Sequence, residues 1–427
     1  MLAIGIDLGT TSICGILIDT DSGKVLRSRT ENSNAFIEGE YSWERMQQPE
    51  RIINLAMEIL EDLLCENVAS IGVTGQMHGI VYVDHDGKAV SPLYTWQDGR
   101  GNQPYLDTTY AQYLHSHSGY GNVTDFYNRQ KGLVPETAVN FCTIQDYLVM
   151  CLCDLKKPMI HITNAASFGC FDLKKTSFTY DCHVDPIWDF TVAGTFCDIP
   201  VGVAIGDNQA SVFSCLDNKE SILLNFGTGS QVSIVSDQMV EAPGIETRPY
   251  FDGQYLAVGS ALCGGRAYAV LKDFYARILR YAVDITDTQV YDIMDRMLSV
   301  ESDPLIVDTR FDGTRADESL RGCITGISTT NFTPEAMTKG VIDGMAGELY
   351  DMYRTMNVRR SGLVGSGNGL RKNPALQKSV QDVFGTSLRI PKHTEEAAYG
   401  AALFALVASG YCKSAADAQK LIQFETE

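Results

Sequence analysis

Residues 4–19 read IGIDLGTTSICGILID. Apolar residues run up to Asp7, a glycine follows, then three hydroxyl side chains, and the chain returns at once to apolar residues. This is the pattern of a strand, a tight turn and a second strand. It recurs: LLNFGTGSQVSIVSD (223–237) can be laid on GIDLGTTSICGILID (5–19) without a gap. Gly9 then matches Gly227, Thr10 matches Thr228, Ser12 matches Ser230, Ile16 matches Ile234 and Asp19 matches Asp237, while Asp7 becomes Asn225. The identities fall on the turn, and each copy heads one half of the chain. The expectation is an internal duplication, with two similar α/β domains over 1–216 and 217–427, each presenting one hairpin.

Chain length agrees, since 427 residues exceed one compact core and suit two domains of roughly 200 residues each. With 34 Lys and Arg against 53 Asp and Glu, the net charge of −19 repels nucleic acid and anionic lipid, so neither is expected as a partner. The 12 cysteines are scattered; the closest pair, Cys151 and Cys153, has CxC rather than CxxC spacing, and no Cys/His cluster has zinc spacing. Reduced thiols are therefore expected. No basic leader segment opens the chain and no apolar run approaches about 20 residues, so a cytoplasmic protein is expected.

Strand and helix patterns alternate along most of the chain. Residues 3–8, 12–18 and 24–30 read as a three-strand meander, 49–65 as a helix opened by Pro49, and 69–75 as a buried strand. Residues 100–200 look irregular and suit a substrate-facing insertion. GDNQASVFSCL (206–216) is expected to close the first half and EEAAYGAALFALVA (395–408) the second. Both helices are rich in small residues that let helices approach closely.

The chemistry follows from the turns. Gly9, Gly227 and Gly229 let backbone N–H groups approach an anion, and Thr10, Thr11, Ser12, Thr228 and Ser230 add hydroxyls. Either turn alone is commonly just a β-turn; two of them facing each other suit a polyphosphate. A carboxylate at Asp7 would repel that anion unless a cation lay between, which makes Asp7 the candidate for Mg²⁺, a hard ion held by few carboxylates plus phosphate and water. A turn-capping carboxylate would satisfy the same pattern. Asp207 follows a buried strand and a glycine and opens a helix, where negative charge is stabilised. It is either a helix cap or a general base that takes a hydroxyl proton during phosphoryl transfer. VTGQMHG (73–79) puts Gln76, Met77 and His78 at a strand end, and LYTWQDGR (93–100) adds Trp96, Asp98 and Arg100. An aromatic face with amides, carboxylates and Arg suits a polyol; a core histidine and a surface aromatic turn are the plainer alternatives. LVGSGNGLRKNP (363–374) is a strand, a glycine-rich turn and a helix from Pro374, with neither the dinucleotide fingerprint nor a P-loop.

Together, GIDLGTTS, GVTGQMHG, TWQDGR, GDNQA, FGTGS, GSGNG and EEAAYGAAL stand in the order seen in the FGGY carbohydrate kinases, and the resemblance runs from residue 3 to about 408. TIQDYLV (143–149), NAASFGCFDL (164–173), RPYFDGQYLAVGSALCGGRAYAVL (248–271) and FDGTR (311–315) are most similar to the members that phosphorylate sedoheptulose. The resemblance implies an α/β fold of two actin-like (ribonuclease H-like) ATPase domains flanking a central cleft, with ATP and Mg²⁺ as cofactors. It implies transfer of the γ-phosphate to a terminal sugar hydroxyl, with Asp207 as base and Asp7 beside the metal. Gln76, Met77, His78, Trp96, Asp98, Arg100, Asn208 and Gln209 then fall on the sugar. Gly9, Thr10, Thr11, Gly227, Thr228, Gly229 and Gly264 fall on the phosphates, and Gly365, Ser366, Gly367 and Asn368 on the adenosine. The glycine-rich turn is longer before Pro374 than in many members, and the chain is short for the family.

The leading expectation is an ATP-dependent ketose kinase, with sedoheptulose ahead of xylulose or another ketose or polyol as the small-molecule partner. A homodimer is a family-level expectation. A non-catalytic sugar sensor is the alternative of another class, and retention of both Asp7 and Asp207 weighs against it. An actin- or chaperone-like ATPase would need no sugar-facing segments.

Overall fold

The computed structural model describes all residues of the chain except His183, Arg315, Ala316, Glu318, Thr426 and Glu427. The last residue of the FDGTR segment therefore lies outside the described residues. The chain divides into two compact units. The first comprises Met1–Asp217, Arg248–Gln254 and His393–Gln423; the second comprises Asn218–Thr247, Tyr255–Lys392 and Phe424–Glu427.

The first unit opens with the meander: β1 (Leu2–Leu8), β2 (Ser12–Asp19) and β3 (Val25–Asn32), paired antiparallel in sequence. Helix α1 (Pro49–Leu63) has Pro at its first turn and buries Ile52, Ile53, Ala56, Ile59, Leu60 and Leu63, one apolar stripe at helical spacing. It leads into β4 (Val68–Gly75), which lies parallel to β1. Residues 100–200 hold more helix than the sequence suggested: α2 (Gly121–Lys131), α3 (Ile144–Cys153) and α4 (Ile162–Ser167). A signal for α3 was available, because Thr143 and Asp146 form a capping box. Strands β5 (Val192–Phe196), β6 (Ile199–Gly202) and β7 (Ile205–Gly206) follow, then α5 (Asp207–Cys215). The sheet order is β5-β6-β4-β1-β2-β3, with β7 also on β4.

In the second unit the order is β10-β11-β9-β8-β12-β13, from β8 (Ser221–Phe226), β9 (Ser230–Ser236), β10 (Ile245–Pro249), β11 (Tyr255–Ala261), β12 (Gly362–Ser366) and β13 (Leu388–Arg389). Set beside the first unit, β3-β2-β1-β4-β6 corresponds to β11-β9-β8-β12-β13. The directions agree too: antiparallel for β1/β2 and β8/β9, parallel for β1/β4 and β8/β12. Each unit has its own apolar core, one centred on Ile4, Ile6, Val73 and Ile71, the other on Leu224, Val232, Ala257 and Leu363.

Two details correct the sequence reading. The gapless match of the hairpins does not survive: Leu8 pairs with Ile13 across the first turn, but Phe226 pairs with Ser230 across the second. The second turn is one residue shorter, so Ser12/Ser230 and the identities beyond it are not at equivalent ladder positions. The repeat resides in strand order and direction rather than in those matches.

The second correction concerns α8 (Glu396–Ala408), expected to close the second half. It belongs to the first unit, buried on nearly every side. Glycines bring it in. A Cβ on Gly5 would stand 1.8 Å from the Ala398 carbonyl oxygen, and one on Gly72 would stand 1.9 Å from that of Ala401. A Cβ on Gly400 would stand 1.9 Å from the Ala210 oxygen of α5. The small residues of α5 and α8 thus serve to press these two helices onto each other and α8 onto the sheet.

Candidate active site

In the first unit, β1 carries Asp7 to the end of the strand, where it pairs across the hairpin with Cys14. Its Oδ1 is buried with no hydrogen-bond partner. Burial above all, then the negative charges of Asp207 and Glu395, push its carboxyl up to about 7. Asp207 is the first residue of α5, delivered by β7, which runs parallel to β4. Burial raises its carboxyl to about 6; the Asn208 N–H, donating to Oδ1 at 2.7 Å, and the Arg248 guanidinium hold it from rising further. The Gly206–Asp207 junction is itself fixed. The Gly206 N–H donates to Thr163 Oγ1 at 3.0 Å, and Thr74 Oγ1 donates to the Ile205 carbonyl at 2.8 Å.

Around the first turn lies a set of amides and one indole. Trp96 is exposed, and its Nε1–H donates to Thr10 Oγ1 at 2.9 Å. Thr10 Oγ1 in turn reaches Gln76 Oε1 at 3.4 Å. Gln76 Nε2 donates to Gln47 Oε1 at 2.9 Å, and Gln47 Nε2 donates to the Thr10 carbonyl at 2.6 Å. His78 has a left-handed backbone, φ 74°, unusual for a non-glycine residue. Its ring stacks on Tyr120 at 4.0 Å, and its Nδ1 lies 2.7 Å from the Ser167 carbonyl.

In the second unit, the turn Gly227–Thr228–Gly229 closes on itself through Gly227 N–H to Gly229 O, 2.9 Å. Helix α6 (Gly264–Leu279) begins directly against it, and the Arg266 N–H donates to the Thr228 carbonyl at 3.1 Å. No side chain fits at that junction: a Cβ on Gly264 would be 2.4 Å from Gly229 C, and one on Gly265 would be 2.3 Å from Gly227 O. The positive end of a 16-residue helix and a glycine turn thus share one place, an arrangement suited to anions. Beside it is a cavity of about 510 Å³ lined by Gly227, Thr228, Gly265, Arg266, Tyr268, Tyr291, Asp295, Asn368, Gly369 and Lys372. That volume is in the range of small-molecule sites.

Comparison with known proteins decides the family. The N-terminal domain profile of the FGGY family of carbohydrate kinases matches residues 2–184, and the C-terminal domain profile matches residues 222–409. The chain belongs to the FGGY family of carbohydrate kinases.

It is 30% identical to sedoheptulokinase of Mus musculus, over 95% of this chain and 97% of that protein, and 30% identical to sedoheptulokinase of Homo sapiens over the same shares. The fold is similar to the crystal structure of xylulose kinase from Rhodospirillum rubrum, with a TM-score of 0.83 at 18% identity, covering 100% of this chain and 93% of that one. The protein is thus a kinase with an alcohol acceptor, built on the actin-like ATPase fold, in a family that uses ATP. No helix among the described residues is long and apolar enough to cross a membrane.

As an FGGY kinase, the chain distributes its motif residues unevenly. Asp7, Asp207, Gln76, His78, Trp96, Thr10 and Asn208 all belong to the first unit; Gly227, Thr228 and Asn368 line the cavity of the second. Several expected contacts are instead spent on the fold. Asp98 and Arg100 were expected to face a sugar, yet both are almost fully buried. Arg100 bonds Asp98 through Nε at 2.6 Å and Nη2 at 3.2 Å, gives Nη1 to Asn128 at 2.6 Å, and lies 4.1 Å over the Tyr94 ring. Asp98 also accepts the N–H groups of Arg45 and Arg100. Bonded to each other, they brace the turn that presents Trp96. Met77 and Gln209 are likewise buried, flanking Gly206, with Gln209 Nε2 bonded to the Pro249 carbonyl at 3.2 Å. Gly365 and Ser366 stay inside β12, Gly365 against Leu370 and Leu388, and Ser366 Oγ accepting from Asn225 at 2.8 Å. It is Asn368 and Gly369, one turn later, that reach the cavity.

Sequence reasoning missed Gln47, Thr163, Arg248 and Glu395 as neighbours of the key groups. Arg248 and Glu395 come from the two segments that rejoin the first unit from far along the chain. No local pattern carries that information.

The two raised carboxyls carry a stability consequence. A carboxylate whose folded-state pKa exceeds its unfolded value costs stability above the folded pKa and nothing below the unfolded one. Wild-type stability should therefore fall, relative to Asp7→Asn, as pH rises from about 4 to about 7 and stay lower above that. Between pH 4 and pH 8 the wild type is expected to lose about 4 kcal/mol relative to the variant, from the rise of this carboxyl from the ordinary carboxylate value to about 7. Urea unfolding across that range measures it, and a stability difference that does not change with pH would contradict the burial of Asp7.

Proposed function

We propose that the protein transfers the γ-phosphate of ATP to the terminal hydroxyl of a ketose, with sedoheptulose the preferred acceptor and sedoheptulose 7-phosphate the product. The observation that carries this is Asp207, a carboxylate with elevated proton affinity at the start of a helix, in the unit that also presents Trp96, Gln76 and His78. As base it accepts the hydroxyl proton; the sugar oxygen forms its bond to the γ-phosphorus while the bond from that phosphorus to the β–γ bridging oxygen breaks, and ADP leaves. Phosphoryl transfer asks little more of a protein than positioning and charge neutralisation.

The nucleotide is assigned to the second unit. Its phosphates suit the Gly227–Gly229 turn and the start of α6, and its adenosine suits the cavity bounded by Tyr268, Tyr291, Asn368 and Gly369. Mg²⁺ fits Asp7, whose buried Oδ1 has no protein partner. Among the described residues no three acidic, His or Cys side chains form a metal cluster, so phosphate and water would complete the coordination. The ion would neutralise phosphate charge. A cytoplasmic location is proposed as well, supported by 12 cysteines that are all free thiols.

Similarity to the two mammalian sedoheptulokinases favours sedoheptulose over xylulose. The sensor reading is disfavoured because both Asp7 and Asp207 are held with raised proton affinity, a costly arrangement that binding alone does not require. A coupled ADP-release assay across sedoheptulose, xylulose, ribulose and fructose tests the proposal. Sedoheptulose should give the highest kcat/KM. ADP release indifferent to sugar would refute the kinase reading, and a higher kcat/KM for xylulose would reassign the substrate.

A further inference from the structure

The geometry points to Gln47 as a positioning residue that couples the sugar-facing side chains to the first glycine turn; this rests on the kinase reading above. Gln47 ends the two-residue strand Met46–Gln47 and is fully buried, yet both ends of its amide are engaged away from its own segment. Nε2 donates to the Thr10 carbonyl at 2.6 Å, and Oε1 accepts Gln76 Nε2 at 2.9 Å. The chain of bonds continues from Thr10 Oγ1 to Gln76 Oε1 at 3.4 Å and from Trp96 Nε1 to Thr10 Oγ1 at 2.9 Å. Thr10, Gln47 and Gln76, from three separate segments, therefore form a closed loop, and Trp96, from a fourth, is bonded to it.

The donor and acceptor roles are all determined. The indole can only donate, so the Thr10 hydroxyl accepts from Trp96 and must direct its single hydrogen to Gln76. Gln76 then offers its oxygen to Thr10 and its NH₂ to Gln47, which fixes the Gln47 amide in turn. Reversing any one amide sets two donors or two acceptors against each other. The Trp96 plane, the Gln76 amide and the Thr10 peptide consequently move as one group. A ketose that settles on Trp96 and Gln76 acts, through this loop, on the turn that the kinase reading assigns to phosphate. Gln47 touches neither ligand; it locks the loop from beneath.

Gln47→Leu keeps similar bulk and removes both bonds. It is expected to lower kcat/KM for the ketose about tenfold, the size of two lost neutral hydrogen bonds, while KM for ATP, whose adenosine the kinase reading gives to the second unit, stays within about twofold. Trp96→Phe, which keeps a ring and removes the indole donor, is expected to lower it about fivefold. The double variant should be no worse than Gln47→Leu by more than about twofold, because both changes act on the same bonded group. Independent effects that multiply to about fiftyfold would overturn the coupling, as would an unchanged ketose kcat/KM in Gln47→Leu. If Gln47→Leu fails to fold, Thr10→Val takes its place in the same cycle, since it deletes the hydroxyl joining Gln76 to Trp96. Wild-type protein that transfers phosphate to no ketose would refute the kinase reading and this inference together. Normal wild-type transfer with multiplicative variants refutes this inference alone.

Discussion

Asp207→Ala will leave ketose affinity within about an order of magnitude of wild type and lower kcat by about 10² or more, the ordinary size of a general-base contribution. Asp207 makes no bond that holds the fold together: its recorded partners are its neighbour's N–H and the charge of Arg248. Removing a half-buried carboxylate whose proton affinity is raised should even raise stability somewhat at neutral pH, so lost turnover is distinguishable from unfolding. The pH dependence gives an independent check. A base must be deprotonated to act, and burial holds this one at about 6. The kcat of the wild type should therefore decline as pH falls through about 6, rather than near the usual carboxylate value of about 4. Near-normal kcat in Asp207→Ala, with sugar binding intact, would remove Asp207 from the chemistry.

The second large effect is on stability. Gly72→Val should destabilise the first unit by about 3 kcal/mol or more, or roughly 6–12 °C in melting temperature. The new Cβ would fall 1.9 Å from the Ala401 carbonyl oxygen, 2.3 Å from its carbon and 2.9 Å from the Ala402 nitrogen. All three are backbone atoms of a buried helix, so no side chain can swing aside to relieve the clash. A control lies in α7 (Pro334–Thr355): a Cβ on Gly347 meets nothing within 4 Å. Gly347→Ala should be neutral or stabilise by about 0.5–1 kcal/mol, from the helix propensity of alanine. Differential scanning calorimetry of both variants compares them; equal melting temperatures for Gly72→Val and wild type would show that α8 does not press on β4 as described.

How much of this was legible beforehand depended on the range of the interaction. The meander, α1 and β4 are written in local periodicity and turn residues, and their observed limits differ from the expected ones by only a few residues. The glycine turns were legible as well, since few other residues permit them. The irregular reading of residues 100–200 failed for a different reason. Helix α2 has a polar composition but buries Asp125 and Asn128, whose polar atoms are met by Tyr82, Tyr180 and Arg100. A hydrophobicity pattern does not register a core built from satisfied polar groups.

The same limit explains the site. TWQDGR announces an aromatic, an acid and a base, but not that Asp98 and Arg100 consume each other beneath Trp96. Whether a charged side chain meets solvent, ligand or a neighbour depends on residues distant in sequence, here Arg45, Tyr94 and Asn128. By itself the sequence determined the hairpins, the doubled strand–turn–strand heads and the family, because each rests on neighbours in the chain and on backbone freedoms that only certain residues possess. Tertiary structure alone decided which motif side chains remain available, why Asp7 and Asp207 hold their protons so tightly, and that α8 returns to the first unit. Those outcomes depend on burial and on hydrogen-bond partners supplied from far along the chain, and neither exists until the chain has folded.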